Sequence, residues 1–411
     1  MKILVISHMY PHPVKEMNGG FVHEQVKAMK NQGMEVVVLS PKAKSNRLLA
    51  LFSKRWKTYS RIPDQRVLEG VQIYYPKKPT PPKKLFFRRA GHWYYRALEK
   101  TLNEVEKEFP FDVIHAHVAY PDGYAAARLA RKWGKPLVIT IHGQDFQQTL
   151  HMGEVFQRKL KAALEGATKV VTVSKKLERI GREFFPGGEE KWVTIENGFD
   201  VDKVVEDPGE RENLKPLTLL SVGNLIKTKG NHLTINVFDH LLHSNHSDRE
   251  KLNPCKHCRL VIVGEGPEED ALRAQVKRLN LEEKVTFIKK LTYGQVLEEM
   301  SRADIFVLPS YKEGFGVVYL EAMAHGMPVI ACEKEGIDGV LRHGVEGYLV
   351  KPEDEEDLEM HLRSLIQNPG LRKKLGENGK ARAKEFTWEN NAKRHKSLYQ
   401  EVMNLDPKEI Q

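Results

Sequence analysis

A chain of 411 residues, 40% hydrophobic and 29% charged, has the balance of a soluble globular protein, and its length predicts two to three domains, with two of about 200 residues as the simplest division. No stretch approaches the roughly 18 consecutive apolar residues that a membrane helix requires, which excludes a membrane-spanning protein. The net charge is +10, but residues 42–96 alone carry fifteen Lys or Arg against two acidic residues, so the excess is a local basic patch that predicts an anionic partner.

Strand-like and helical segments alternate along the chain, as a parallel α/β fold requires. Residues 1–7 predict a buried first strand rather than an export signal, because polar residues and prolines follow them at once. With only three cysteines in the chain, we expect a cytoplasmic protein. The strand segments are continuous β-branched runs, which indicates sheets covered on both faces. In the first half we predict a helix at 21–32 and strands at 2–7, 35–39, 113–117, 137–142, 170–173 and 193–196.

A second series of strands follows, and the sequence between the two series predicts a domain boundary. The turn at residues 197–200 and the charged stretch 202–215 separate the series. Domain one is therefore assigned to residues 1–200 and domain two to residues 201–387. We expect the C-terminal helix, within residues 388–411, to pack back on domain one. The second series of predicted strands is 217–222, 259–263, 285–288, 305–308, 329–331 and 347–350.

Residues 309–322 place a glycine-containing loop between the end of a predicted strand and a helix that begins near Val317. Backbone N–H groups of Phe315, Gly316 and Val317 then point from the N-terminus of that helix, an arrangement that binds phosphate. Ligands of open α/β sheets also bind beyond the carboxyl ends of the strands. The segment therefore predicts a phosphate-binding edge in domain two.

Glu313 and Glu321 flank this loop. A carboxylate beside a diphosphate is electrostatically costly unless it accepts hydrogen bonds from hydroxyl groups, so the pair predicts a polyol that carries a diphosphate. Taken alone, two such glutamates are more simply explained as solvated residues on a helix face.

Two other segments favour the same kind of ligand. The strand at 217–222 leads into a glycine-containing turn with Lys229 before a helix, which suits neutralisation of a diphosphate. Gly19 and Gly20, between the first strand and the first helix, allow close approach of the backbone to a ligand. A simple tight turn explains the two glycines equally well.

Histidines stand at the ends of two predicted strands in domain one. His142 ends a buried strand, where a lone histidine is more often a structural hydrogen-bonding group than a catalytic one, and Asp145 follows three residues later. His115 and His117, around another strand end, are assigned a structural role. Ser174, after the next strand, is predicted to cap a helix N-terminus.

In this order, the motifs resemble those of glycosyltransferase family 4, whose members have the GT-B fold of two Rossmann-like, doubly wound domains that face a central cleft. The resemblance extends over residues 1–403 and includes enzymes with bacterial polysaccharide, teichuronic-acid and lipid acceptors. It implies a retaining transferase that moves a sugar from a nucleotide-diphosphate donor, with UDP-sugars favoured, to a glycan or lipid-linked acceptor. We expect neither a metal ion nor another cofactor, because no D-x-D pair stands next to a strand end in a suitable place.

The resemblance also assigns roles residue by residue. Glu313 would contact the transferred sugar, His142 the donor sugar and Lys229 the leaving group, and these three form the catalytic set. Asp145 is assigned to the acceptor side. The predicted donor-binding set comprises Gly19, Gly20, Asn224, Lys229, Lys290, Leu291, Phe315, Gly316, Val317 and Glu321.

Within the donor-binding set, Glu321 would contact the ribose, and backbone groups of Lys290 and Leu291 would contact the base. Asn224 stands where the family usually has an arginine, so one positive charge is missing beside the leaving group. Lys227 would compensate for it, or is a surface lysine.

Residues 83–96 of the basic patch mix cations with five aromatic side chains, which fits an interfacial helix on an anionic membrane surface. A core-packing helix with a solvated basic edge fits equally well. Nucleic-acid binding is not expected, because no recognised nucleic-acid module accompanies the charge. The interfacial-helix alternative predicts that the protein lies peripherally on the inner face of the membrane.

Three further alternatives stay open. One is a GT-B-fold UDP-sugar epimerase, and another is a non-catalytic subunit that binds a sugar nucleotide, which the missing arginine at Asn224 makes conceivable. A zinc site is the third, although the spacing of its candidate ligands fits no standard zinc module. These ligands are His240, His243, His246, Cys255, His257 and Cys258.

Overall fold

The computed structural model describes residues 1–16, 18–44, 54–79, 87–205, 216–243 and 254–405. The chain divides into two compact units, the first formed by Met1–Gly198 with Trp388–Gln411 and the second by Phe199–Thr387. The chain first passes from one unit to the other within the turn at residues 197–200. Each unit is built around its own β-sheet, and the predicted α/β class is confirmed.

In the described part of the first unit, eight strands form one sheet in the order β10-β9-β8-β7-β1-β2-β5-β4. All neighbours are parallel except β4 and β5, which form an antiparallel hairpin at one edge. A separate parallel pair joins β3 to β6. The strands are β1 (Lys2–Ile6), β2 (Glu35–Leu39), β3 (Lys42–Ala43), β4 (Gln65–Leu68), β5 (Val71–Tyr74), β6 (Lys77–Lys78), β7 (Val113–His117), β8 (Leu137–Ile141), β9 (Lys169–Thr172) and β10 (Trp192–Thr194).

Helices connect these strands. Ser174 caps one of them: its side chain accepts a hydrogen bond from Leu177 N at 3.4 Å. The helices of the first unit before the crossing are α1 (Gly20–Asn31), α2 (Lys54–Tyr59), α3 (Ala90–Glu108), α4 (Tyr124–Trp133), α5 (Gln144–Gln147), α6 (Glu154–Glu165) and α7 (Lys175–Phe184).

The described part of the second unit has a six-stranded, wholly parallel sheet in the order β13-β12-β11-β14-β15-β16. Its strands are β11 (Leu217–Val222), β12 (Cys258–Val263), β13 (Val285–Ile288), β14 (Ile305–Val307), β15 (Val329–Cys332) and β16 (Gly347–Val350). Its helices are α8 (Asn231–His243), α9 (Glu269–Arg278), α10 (Tyr293–Ser301), α11 (Val317–Ala324), α12 (Glu355–Gln367) and α13 (Pro369–Ala383).

The strand order of each sheet reverses once, which fixes where a ligand is expected. In the second unit the reversal falls between β11 and β14, and in the first unit between β1 and β7. Connections on the two sides of such a point leave in opposite directions, and the crevice beyond the carboxyl ends of the two strands is the usual binding site. Each unit therefore offers one such edge.

The last helix, α14 (Trp388–Met403), belongs to the first unit. Its buried face, which includes Ala392, Leu398 and Val402, joins the same apolar core as α1. Polar contacts fix its register: Gln25 Nε2 donates to Asn391 Oδ1 at 2.9 Å, among others. This helix therefore closes the core of the unit in which the chain begins.

The basic patch is only partly described, since residues 45–53 and 80–86 lie outside the described ranges. Helix α3 begins at Ala90 and buries Tyr94, Leu98 and Leu102 along one face, whereas Arg96 is exposed. This arrangement matches the core-packing alternative. None of the helices in the described ranges combines the length with the apolar composition that a membrane-spanning helix requires.

The candidate zinc ligands do not form a metal site among the described residues, which contain no group of three or more His, Cys, Asp or Glu placed to hold a metal ion. Cys255 and Cys258 are buried, whereas His240 and His243 face Glu359 and Asp239. The other two candidates are His257, which is exposed, and His246, which lies outside the described residues.

Candidate functional site

In the second unit, a lysine and a glutamate meet at the point where the strand order reverses. Lys229, in the loop after β11, forms an ion pair with Glu313, in the loop after β14. The two side chains are 17% and 16% exposed. The loops are also tied through their backbones, because Tyr311 N donates to Thr228 O at 3.0 Å. The pair therefore rests on a fixed frame at the carboxyl edge of the sheet.

Glu335 holds the backbone of Glu313 and was missed by the sequence analysis. Its side chain is 8% exposed, and Glu335 Oε2 accepts a hydrogen bond from Glu313 N at 2.6 Å. It follows β15, the neighbour of β14, so the sheet brings it beside a residue 22 positions away. A buried carboxylate that accepts a backbone N–H satisfies that donor and so fixes the loop.

Glu321 lies within α11 and is only 8% exposed, so the explanation of this glutamate as a solvated helix-face residue is wrong. Burial raises its pKa to about 7, while a hydrogen bond with the Tyr293 side chain acts in the opposite direction. Near neutral pH this carboxyl group exists in both protonation states, and in the ionised state it only accepts hydrogen bonds.

Between the two glutamates, α11 begins at Val317 as the sequence predicts. Gly316 is the N-cap, with φ 86° and ψ 70°, and within the described part of the chain no side chain caps this helix. Phe315 is buried, whereas Gly316 and Val317 are partly exposed. The first N–H groups of an uncapped helix are suited to an anionic ligand.

The other predicted donor-binding residues of the second unit lie at the same edge. Asn224 is exposed in the loop after β11, and Lys290 is exposed and Leu291 partly exposed in the loop after β13. The sheet is parallel, so the carboxyl ends of β11, β13 and β14 share one side. Their backbone positions could serve base and phosphate recognition along that side.

In the first unit, His142 follows β8 and shares a hydrogen bond with His117, with 2.9 Å between His142 Nε2 and His117 Nδ1. The two rings stack at 5.2 Å, and the ring of Phe21 lies 4.8 Å from that of His142. Burial lowers the pKa of His142 to about 3. At physiological pH this imidazole is therefore neutral and held in a fixed orientation.

The cluster continues from His142 to the C-terminal helix. His115 is fully buried; its Nε2 lies 2.7 Å from Thr140 Oγ1 and its Nδ1 2.6 Å from Tyr399 Oη. The His395 ring stacks on the His115 ring at 5.5 Å. Burial, followed by neighbouring imidazoles, lowers the pKa of both His115 and His117 well below the usual value. The structural role expected for His115 fits these contacts.

Asp145, at the start of α5, is fully buried, and its Oδ1 accepts a hydrogen bond from Tyr120 N at 3.1 Å. Burial, followed by the charge of Asp122, raises its pKa to about 7, although the backbone N–H groups of Ala119 and Tyr120 oppose the shift. Asp145 therefore sits behind the surface of the carboxyl edge.

His8 and Asp122 form a second pair that the sequence analysis missed. His8 Nδ1 contacts Asp122 Oδ2 directly after β1, and Asp122 is fully buried. Burial acts to lower the pKa of His8, but the charge of Asp122 and its hydrogen bond outweigh that effect and raise it. The signal in the sequence was the position of each residue just beyond a predicted strand.

Gly19 and Gly20 stand at the N-terminus of α1, which begins at Gly20. Gly19 has φ 65°, and a Cβ there would overlap the carbonyl group of Met9, whereas a Cβ at Gly20 would meet nothing within 4 Å. The tight-turn explanation therefore accounts for Gly19.

Two family models match consecutive parts of the chain: Glycosyltransferase Family 4 over residues 19–203 and Glycosyl transferases group 1 over residues 203–382. A Bacillus subtilis glycosyltransferase named for teichuronic acid biosynthesis is 26% identical, with 87% of each chain covered. The fold is also that of sucrose-phosphate synthase from Thermosynechococcus elongatus, with a TM-score of 0.76, 21% identity, and 98% of this chain and 99% of that chain covered. HepE from Anabaena, in complex with UDP and glucose, gives a TM-score of 0.70 at 19% identity, with 98% and 100% covered.

Proposed function

Because this chain belongs to glycosyltransferase family 4 and has the GT-B fold, we propose that it moves a sugar from a nucleotide-diphosphate donor to a glycan or lipid-linked acceptor with retention of the anomeric configuration. The observation that carries the proposal is the Lys229–Glu313 ion pair beside the uncapped N-terminus of α11. A UDP-sugar is the favoured donor, supported by the UDP and glucose found with the structurally similar HepE.

In the proposed reaction, the bond between the anomeric carbon and the donor phosphate breaks while a bond to the acceptor oxygen forms on the same face. The departing phosphate takes the acceptor proton, and the nucleoside diphosphate leaves. Negative charge grows on the phosphate, and we assign its stabilisation to Lys229 and the first N–H groups of α11. With this task assigned to protein groups, no metal ion or other cofactor is part of the proposal.

Glu313 is assigned to the transferred sugar as an acceptor of hydroxyl hydrogen bonds. Its carboxylate pairs with Lys229 and its backbone is held by Glu335, so it suits orientation of the sugar better than nucleophilic attack. Glu321 is assigned to the ribose hydroxyls. The contact of His142 with the donor sugar, the place of Asp145 near the acceptor, and donor contacts of Gly19 and Gly20 stay predictions.

A glycan acceptor is supported by the relative that is named for teichuronic acid biosynthesis. The basic patch at residues 42–96 supports an acceptor presented at an anionic membrane surface inside the cell. Since α3 buries one face in the unit, its exposed basic edge, which includes Arg96 and Lys100, is the part proposed to meet the lipid headgroups.

The test uses Glu313→Ala and Lys229→Ala in the full chain with UDP-, GDP- and ADP-sugars. Lys229→Ala should lower turnover by about 100-fold or more and weaken UDP binding, since it removes a charge from the leaving-group site. Glu313→Ala should lower turnover similarly while UDP binding stays within a few-fold. Lys277→Ala, which removes an exposed lysine of α9, is the matched control.

Full turnover in both variants would contradict the site. Conversion of the donor to its epimer without any acceptor would favour the epimerase alternative. Donor binding with neither transfer nor hydrolysis would favour the non-catalytic subunit, for which the missing charge at the exposed Asn224 is the structural argument.

A further inference from the structure

A tyrosine of the second unit contacts Glu321, the carboxyl group that the proposed function assigns to the ribose. The hydroxyl group of Tyr293 donates a hydrogen bond to the Glu321 side chain. Tyr293 is the first residue of α10, and it follows the predicted base-binding positions Lys290 and Leu291 by two residues. This one side chain therefore joins the predicted base-binding loop to the helix that carries the predicted ribose contact.

The cap of α10 fixes the backbone from which the Tyr293 side chain extends. Thr292 is the N-cap, and its side chain accepts a hydrogen bond from Gln295 N at 3.4 Å. In return, Gln295 Oε1 accepts a hydrogen bond from Thr292 N at 3.0 Å. Because this reciprocal arrangement satisfies two backbone donors at the start of the helix, the first residue of α10 has a defined position.

A lysine contacts the ring of Tyr293. Lys203 Nζ lies 5.6 Å from the centroid of that ring, within the limit of about 6 Å for a cation–π interaction. The same amine lies 2.8 Å from Asp200 Oδ2, at the start of the short turn Val201–Lys203. Tyr293 is partly exposed, so the contacts with Lys203 and Glu321 reduce the number of rotamers that its side chain can adopt.

His325, directly after α11, ties the backbone of Glu321 to the same part of the chain. Its Nδ1 lies 2.7 Å from Glu321 O, and its Nε2 accepts a hydrogen bond from Val205 N at 3.3 Å. Because a carbonyl oxygen only accepts, Nδ1 carries the proton and the ring is neutral. Burial lowers the pKa of His325, opposed by the backbone of Glu321 and aided by the charge of Lys380, which maintains this form at neutral pH.

The contact with Tyr293 affects both the charge and the orientation of Glu321. Burial raises the pKa of Glu321, and the hydrogen bond from Tyr293 acts in the opposite direction, because a donor stabilises the ionised form. An ionised carboxylate has about four acceptor positions, so it can accept from Tyr293 and from ribose hydroxyl groups at the same time. Without the tyrosine hydroxyl, the carboxyl group would be protonated more often and would lose a contact that restricts its rotation.

We propose that Tyr293 is a positioning residue for Glu321: its hydroxyl group orients the carboxylate so that this group accepts hydrogen bonds from the vicinal ribose hydroxyls of the donor. The inference rests on the proposed function, which assigns the ribose to Glu321. It adds selection of ribonucleotides over 2′-deoxyribonucleotides to the tasks of the site. Tyr293 acts through Glu321 and needs no contact of its own with the ligand.

The experiment measures the binding of UDP and 2′-deoxy-UDP to the full chain by calorimetry from pH 6 to pH 9. The ratio of the two affinities cancels the titration of the diphosphate, which both ligands share. At pH 8 the native chain should prefer UDP by about tenfold or more, because the deoxy ligand lacks a hydrogen bond to a charged group. GDP and ADP with their 2′-deoxy forms are measured in the same way, since the ribose is common to all three.

Tyr293→Phe removes only the hydroxyl group. It should reduce the preference at pH 8 to less than about threefold, and it should move the midpoint of the pH dependence upward by roughly one pH unit. In transfer assays it should raise the KM of the donor more than it lowers kcat. Tyr348→Phe, which removes the hydroxyl group of a partly exposed tyrosine on β16, is the matched control and should change neither the preference nor the midpoint.

Two outcomes would overturn the proposal, and they are distinguishable. A native preference and midpoint that Tyr293→Phe retains would overturn the role of Tyr293 alone, while the ribose assignment of Glu321 stands. Equal affinity of the native chain and of Glu321→Gln for each pair of ligands would contradict the ribose assignment itself, and the role of Tyr293 with it. Circular dichroism of each variant verifies that the chain is folded.

Discussion

Glu321 shows what burial does to one carboxyl group of the site. Its pKa is about 7 in the folded chain, against an ordinary value of 4.5. Between these values the folded state keeps the proton and the unfolded state has released it. The contribution of Glu321 to the free energy of unfolding is therefore present at acid pH and is lost as pH rises from about 4.5 to 7.

Ionised Glu321 accepts hydrogen bonds from hydroxyl groups better than its protonated form does. We therefore expect UDP affinity to rise by up to about tenfold in all between pH 6 and pH 8, as the ionised fraction of Glu321 rises through its pKa of about 7. Glu321→Gln cannot titrate and should show only the pH dependence of UDP itself. Calorimetric titration of both proteins over this range is the measurement, and identical pH profiles would count against the ribose role.

At the scale of the element, α11 depends on its N-cap. Gly316 adopts a left-handed conformation, and a Cβ there would lie 2.5 Å from ring atoms of Tyr319. That ring is buried and its hydroxyl group donates to Leu308 O at 2.8 Å, so it cannot easily move. The cap thus joins the loop after β14 to the helix that presents the phosphate-binding N–H groups.

Gly316→Ala should strain the backbone by about 1–3 kcal/mol and displace the first turn of α11. We expect a Tm lower by several degrees and UDP affinity reduced at least about tenfold, measured by calorimetry and ligand titration. Gly370→Ala, where a Cβ would meet nothing within 4 Å, is the control. Unchanged UDP affinity in Gly316→Ala would show that the helix terminus does not bind phosphate.

The elements that the sequence predicted well are the buried strands. Strands such as β2, β7 and β11 are buried along nearly their whole length, and the structure places them where the pattern does. The hairpin β4–β5 was missed, because β4 alternates exposed and half-buried residues at a sheet edge. Its turn uses Glu69 with φ 46° before Gly70, where asparagine or aspartate is the usual sign of such a turn.

The site divides in the same way. Lys229, Glu313 and the start of α11 follow strand ends and could be predicted from local sequence. His8 and Asp122 also follow predicted strands, but their contact could not be predicted, because it joins segments 114 positions apart. The role of Glu335 depends in the same way on packing between neighbouring strands. The spacing of motifs along the sequence does not predict contacts of this kind.

At the scale of the whole molecule, the two units differ in the titratable groups that they bury. The first unit buries the neutral histidines His115, His117 and His395, next to His142. The histidines with lowered pKa in the second unit, which include His325, are partly exposed. The units should therefore respond differently to acid, even though their sheets follow the same plan.

Burial is the leading cause of the lowered pKa of each histidine in this cluster, with values of about 3 for His142 and about 4 for His395. Below pH 6.5 these histidines are protonated in the unfolded chain but stay neutral in the folded unit. The free energy of unfolding therefore falls as pH falls. Four histidines contribute in this direction, whereas Asp145 and His8, whose pKa values are raised, oppose it. Because the four histidines outnumber the two opposing groups, we expect the first unit to lose stability as pH falls.

We therefore expect acid to open the first unit before the second. Hydrogen exchange at pH 7 and pH 5 should show the amides of β7 and β8 losing protection while those of β11 and β14 keep it, since buried Glu321 favours the second unit at acid pH. His395→Gln removes one titrating group and should make the first unit less sensitive to acid. Equal loss of protection in both units would contradict the histidine account.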